Sequence, residues 1–275
     1  MASVRARLRK TIRSMFYISA IKKLLETIPV IRNGYAPAQR THPIDRIYGI
    51  DTSGVVQVEN IHPDQSLRSQ ISPYVGSQPS IVRRGLSALG DIRDYVFVDL
   101  GCGKGRVTTV ASEFPFRAVV GVELSPSLAA TARANAATIA GQFPDRPKVT
   151  ITEANVVDFP VPAAKLVFFN YHAFGAELMA KIVAKCEAAL ASGALPHLLF
   201  VYYNPVHAEV FDQSPAFVRF YVEQIAYDKS EIGFGPDRKD VVAIWQSVCG
   251  SAPTPHHGAD RTIFRIHASA AGLAQ

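Results

Sequence analysis

The sequence is poor in cysteine, with three in 275 residues. Cys102, Cys186 and Cys249 stand far apart and form no CxxC pair. This excludes a disulfide framework and a cysteine-based zinc cluster, and it points to a reducing compartment. Long uninterrupted apolar runs are missing too. Residues 188–208 carry no charge, but Gly193, Pro196, His197, Asn204 and Pro205 break them into a helix end, a turn and a strand. No apolar leader with a small-residue cleavage site opens the chain, so a cytoplasmic location is the expectation. Internal repeats and low-complexity tracts are absent. Acids are scarce in one place only: residues 1–46 hold ten Lys or Arg against Glu26 and Asp45. The rest of the chain is close to neutral, which excludes a uniformly basic nucleic-acid-binding face.

What is present is enough apolar material for a large core, at 48% hydrophobic and 19% charged. In the basic segment, Ile21, Leu24, Leu25 and Ile28 fall at helical spacing before Pro29, with a poorer stripe at Val4, Leu8, Ile12, Met15 and Phe16. Such a helix either packs as an ordinary surface helix or docks on anionic lipid or an acidic partner, which would make the protein peripheral to a membrane. Residues 30–76, rich in Pro, Gly, Asn and Asp, read as an irregular lead-in. Ser77 and Pro79 then open a helix with Ile81, Val82, Leu86 and Leu89 on one face and Gly90 at its end.

From there the chain alternates. Strands are predicted at 95–100, 117–123, 149–154, 165–170 and 198–203, and helices at 105–113, 125–141 and 175–190. Short, nearly continuous apolar strands separated by helices predict a parallel sheet covered on both faces. Two further strands, 217–227 and 241–248, have only a loop between them and predict a closing antiparallel hairpin. The expected division is a basic extension over 1–76, one α/β domain over 77–249 and a tail over 250–275. His256 and His257 in that tail lack a partner acid or cysteine at ligand spacing, so no metal site is expected.

The chemistry-bearing stretch is "VFVDLGCGKGR" at 96–106. A phosphate loop would need GxxxxGK[ST], which fails at Arg106. The dinucleotide fingerprint would need a third glycine where Arg106 stands, and its tight helix–strand packing excludes an arginine there. A ligand without phosphate, S-adenosylmethionine (SAM), finds a group for each of its parts. Asp99 faces the amine. Gly101, Gly103 and Gly105 offer main-chain N–H groups to the carboxylate. Glu123, 22 residues after Gly101, offers two oxygens to the ribose diol. Asn155 and Val156 follow the third strand, at the adenine.

With "VDLGCGKGR" and "VVGVELS" at this distance, residues 74–205 resemble the class I (seven-strand) SAM-dependent methyltransferases. That resemblance implies a Rossmann-like, doubly wound, mostly parallel seven-stranded sheet with a C-terminal hairpin, SAM as cofactor and methyl transfer to an N or O nucleophile. The family often carries Asp where Asn155 stands, and Asp158 is the alternative. "FFNYHAFG" and "PYVGSQPSIVRRGL" resemble stretches of non-SET protein-lysine methyltransferases, which implies a lysine acceptor. On that reading Asn170 aligns the acceptor, His172 takes a proton, and Tyr171, Phe174, Tyr202 and Tyr203 wall the channel, although Tyr202 and Tyr203 alternate and only one can face it. The loops 168–175 and 201–207 are expected to shape the acceptor site. A small-molecule acceptor, a non-catalytic SAM-binding scaffold recruited by the basic helix, and an NAD-dependent reductase are the rival readings.

Overall fold

The computed structural model describes residues 40–235 and 238–248. The expected basic helix, the tail with His256 and His257, and Cys249 lie outside them. The lead-in is not irregular throughout. It contains α1 (Pro43–Tyr48), β1 (Val55–Val56), the single turns α2 (Val58–Ile61) and α3 (Gln65–Arg68), and β2 (Tyr74–Val75), which pairs antiparallel with β1. The Pro, Gly and Asp residues read as breakers act here as caps. His42 Nδ1 accepts the Ile44 N–H, Pro43 starts α1, and Gly49 ends it at φ +65°.

The remaining elements follow the expected alternation. They are α4 (Pro79–Ser87), β3 (Tyr95–Leu100), α5 (Arg106–Ala111), β4 (Ala118–Glu123), α6 (Pro126–Gln142), β5 (Val149–Glu153), β6 (Lys165–Tyr171), α7 (Ala176–Ala191), β7 (Leu198–Tyr203), α8 (Glu209–Asp212), β8 (Phe217–Ala226) and β9 (Lys239–Ser247). The N-cap of α4 is Gln78 rather than Ser77, without a side-chain bond. The Ser77 carbonyl instead serves Arg106.

Seven strands form one sheet in the order β5-β4-β3-β6-β7-β9-β8. β3 to β7 run parallel; β9 is antiparallel to both β7 and β8. This is the Rossmann-like doubly wound sheet with its terminal hairpin. The central strands are apolar on both faces because both are covered. Phe97, Phe169, Val201 and Tyr203 pack with Ile81 and Leu86 of α4 and Val110 of α5. Their alternating neighbours Val98, Phe168, Phe200 and Tyr202 pack with Leu178, Ile182 and Cys186 of α7. Trp245 is fully buried on this second face and donates its indole N–H to Asp212 at 2.8 Å. The strand order reverses at β3, where the chain leaves to β4 on one side and to β6 on the other. The crevice beyond the carboxyl ends of these strands is where α/β sheets of this kind bind ligands.

Candidate cofactor and acceptor site

The site is built on the loop 101–105 between β3 and α5. Gly101, Gly103 and Gly105 all take positive φ, at +85°, +55° and +82°. Only glycine holds three such positions cheaply. Space demands it too: a Cβ on Gly103 would lie 2.2 Å from the Tyr74 ring, and one on Gly101 2.7 Å from Ala173 Cβ. The loop is folded onto β4, where Gly101 and Cys102 N–H both donate to the Val122 carbonyl at 2.9 Å. Gly121 makes this possible, since a Cβ there would meet Cys102 Sγ at 2.7 Å.

A cavity of about 900 Å³, counting its open mouth, occupies the crevice. Asp99, Gly101, Gly103, Glu123, Asn155 and Val156 all line it. Six of the seven expected cofactor residues therefore surround one space, although they come from three strand ends up to 57 positions apart in sequence. Gly105 lies behind them as the N-cap of α5.

Asp99 and Glu123 are 2% and 5% exposed. Burial raises the pKa of Asp99 well above the usual carboxylate range, and the nearby Glu123 adds to it. Asp99 Oδ2 has no hydrogen-bond partner among the described residues. A buried carboxylate oxygen left unpaired beside a cavity fits an ammonium group arriving with a ligand. Burial raises the Glu123 pKa as well, opposed by two N–H donors: Ser125 to Oε1 at 2.8 Å and Gly103 to Oε2 at 2.7 Å. Each oxygen keeps one lone pair, so a diol can be received by a carboxylate whose direction is already set.

The main-chain amides depart from the expectation. Gly101 donates to Val122, Gly103 to Glu123 and Gly105 to Cys102 O at 2.8 Å. All three glycine N–H groups are engaged within the fold, so these residues act through shape and close approach. Asn155 shapes the turn after β5, its Oδ1 accepting the Val157 N–H at 3.2 Å. Lys185 of α7 closes that turn from below, donating to Val157 O at 2.8 Å and Phe159 O. Asp158 is exposed and does not line the cavity.

The expected acceptor residues separate. Tyr171 and Phe174 line the cavity. Tyr203 stands behind Tyr171, ring on ring at 4.0 Å, and donates to Asp240 at 2.7 Å. Tyr202 faces the opposite side of the sheet, among Phe200, Phe211 and Trp245. Asn170 is fully buried. Its Nδ2 donates to Leu100 O at 2.9 Å and its Oδ1 accepts the Ala173 N–H at 3.4 Å, so it ties β3 to the loop after β6. His172 has φ +41° and does not line the cavity. Its ring lies 5.7 Å from that of His207, and burial, then His207, lowers its pKa. The loop 201–207 stays outside the cavity.

The other wall comes from the lead-in, through Ile61, Leu67, Ile71 and Tyr74. Polar anchors hold this cover in place. Lys104 donates to Asp51 at 2.9 Å and to Ser53 O at 2.8 Å; Asn135 of α6 holds Asp51 from both sides. Tyr74 donates to Thr52 O at 2.7 Å. Arg106, the first residue of α5, is 5% exposed and borders the cavity. The sequence signal for it was the one charged residue in a short helix of Val, Thr and Ala; nothing in the sequence marked Thr52 or Ser77 as its partners.

Among the described residues no group of His, Cys, Asp and Glu could hold a metal ion. No helix among them is long and apolar enough to cross a membrane.

The fold is a Rossmann-like doubly wound sheet with a ligand-sized crevice at its strand ends, lined by the residues named above. Residues 97–193 match the family model described as a methyltransferase domain. A protein-lysine N-methyltransferase of Saccharolobus islandicus is 36% identical over 95 residues, 31% of this chain and 57% of that protein. The chain thus spans little more than half the length of this relative. Among solved structures, a class I S-adenosylmethionine-dependent methyltransferase of Listeria monocytogenes is similar over 66% of this chain and 62% of its own, at 12% identity and TM-score 0.47. An RNA methyltransferase of Salinibacter ruber, in complex with S-adenosyl-L-homocysteine, is similar over 65% of this chain and 97% of its own, at 18% identity and TM-score 0.42.

Proposed function

We propose that the chain transfers a methyl group from SAM to a primary amine presented end-on, such as a lysine side chain. The observation that carries the cofactor half is the unpaired Asp99 Oδ2 facing the cavity that Glu123 shares. SAM, when bound, supplies an already activated methyl on a sulfonium. The residues then have three tasks. Asp99 receives the ammonium end, Glu123 receives the ribose hydroxyls, and Asn155 with Val156 meets the adenine. The glycine loop lets the cofactor's amino-acid arm lie against the backbone.

For the acceptor, the apolar and aromatic wall of Tyr74, Tyr171 and Phe174 excludes water. It disfavours an ammonium over the neutral amine, which is the nucleophilic form. Asn170 is the positioning residue of this wall, since it fixes the turn that carries Tyr171 and Ala173. His172, whose pKa is lowered by burial and by His207, lies outside the cavity, so the fixed turn does not present it to an acceptor there. The name of the Saccharolobus relative supports a lysine acceptor.

A small-molecule amine or alcohol is the second reading. It is favoured by the cover, because Ile61, Leu67 and residues 71–77 contribute directly to the cavity wall. On either reading 77–249 is the catalytic unit and 40–76 its cover, not a separate domain. The basic residues 1–28 would serve recruitment to an anionic surface in the cytoplasm, which vesicle binding with and without them tests. The acceptor is tested with radiolabelled SAM in a lysate, following label into protein and small-molecule fractions. Label in protein lysine supports the first reading; label confined to small molecules replaces it with the second.

A further inference from the structure

The cavity holds one buried group that the cofactor reading has not used. Arg106 donates from Nε to Thr52 Oγ1 at 2.7 Å, from Nη2 to Thr52 O at 2.8 Å and from Nη1 to Ser77 O at 3.2 Å. Its plane lies against the backbone of Gly76, where a Cβ would be 2.4 Å from the guanidinium carbon. Three of five N–H groups are thereby engaged, leaving one on each terminal nitrogen. Among the described residues it has no direct ion-pair partner. Asp45 reaches it only through Thr52, whose hydroxyl and amide both donate to that carboxylate. An arginine 5% exposed, held by three hydrogen bonds, lining a cavity and keeping two N–H donors to spare, is a prepared anion site.

The glycine loop points the same way. Of its five amides, those of Gly101, Cys102, Gly103 and Gly105 already donate within the fold. A ligand carboxylate entering beside this loop therefore needs a donor from elsewhere.

We propose that Arg106 binds the carboxylate of the cofactor's amino-acid end, opposite Asp99 at its ammonium. Of the three buried charged groups that line the cavity, Asp99 and Arg106 then read a zwitterion, one charge each, and Glu123 is left to the ribose. Because Thr52 and Ser77 hold Arg106, this subsite is complete only when the cover is seated. The inference rests on the SAM reading above.

The test compares two probes by calorimetry on the full chain: S-adenosylhomocysteine and the same thioether lacking its carboxylate. Wild-type protein should bind the decarboxylated probe about 10- to 100-fold more weakly, the range of one charge-assisted hydrogen-bond pair. Arg106→Gln should lose the same factor for S-adenosylhomocysteine while its affinity for the decarboxylated probe changes by less than about 3-fold. Arg106→Lys, which keeps the charge but not the fork, should fall between. A purely structural arginine would weaken both probes alike in the variants, and that result overturns the proposal. Equal affinity of wild-type protein for the two probes overturns it with no variant needed. Failure of wild-type protein to bind S-adenosylhomocysteine at all removes the cofactor reading itself.

Discussion

Replacing Asp99 with asparagine keeps the shape of the side chain and removes its charge. In the folded chain this carboxylate is buried, lacks a partner for Oδ2 and stands near Glu123. Its pKa is raised on folding. The folded chain thus holds this proton more tightly than the unfolded chain, and the group lowers stability as pH rises above its unfolded value near 4. Removing the charge should stabilise the ligand-free protein at neutral pH by about 1–3 kcal/mol, the cost of desolvating or protonating the carboxylate beside Glu123, although the amide's own polar atoms stay unpaired. For a chain of this size that raises Tm by roughly 2–10 °C. Binding changes in the opposite direction. Loss of a charge-assisted bond to the ligand's ammonium should weaken S-adenosylhomocysteine about 10- to 150-fold. At ligand 100 times the wild-type Kd, wild-type protein gains about 2.7 kcal/mol and the variant less than about 1.5. Thermal unfolding with and without ligand, scanned between pH 5 and 8, reads both effects. A variant less stable without ligand, yet showing the full ligand-induced shift, would refute the assignment of Asp99.

Gly103→Ala should cost about 1–2 kcal/mol from its φ of +55° alone and more from displacing Tyr74, with ligand affinity lost as the cover lifts; an unchanged urea midpoint contradicts this. Glu123→Ala should abolish detectable S-adenosylhomocysteine binding in calorimetry while the protein stays folded by circular dichroism. Asn170→Ala leaves the Leu100 carbonyl unpaired in the core and should cost about 1–3 kcal/mol, with turnover reduced more than cofactor affinity. Burial, then Arg106, holds His42 at a pKa of about 4, below its ordinary 6.5. A lowered histidine leaves stability unaffected above about 6.5 and reduces it as pH falls toward 4, here by about 2 kcal/mol after allowing for solvent screening. His42→Gln should flatten that part of the stability–pH curve, and a curve of unchanged slope counts against it.

Local patterns alone determined the sheet. An apolar run such as 95–100 buries on both faces wherever it lies in a parallel sheet, and Pro126 or Gly175 marks a helix start through backbone geometry confined to a few residues. For the same reason, Asp99, the glycines and Glu123 were legible: each follows a strand at a spacing set by one strand–helix–strand unit. Tertiary structure decided what lies across the cavity from them. The cover at 40–76 reads as loop because its elements are too short to show a period, and Thr52 gains meaning only by reaching Arg106, 54 positions away. The same holds for Asn170 and His172, adjacent to Tyr171 in sequence. One is turned into the β3–β6 junction and the other toward His207: strand alternation would put both on one face, but β6 ends at Tyr171 and the positive φ of His172 turns its side chain away. Distance along the chain is all that a sequence displays, whereas a site depends on which side chains converge, and packing of distant segments sets that.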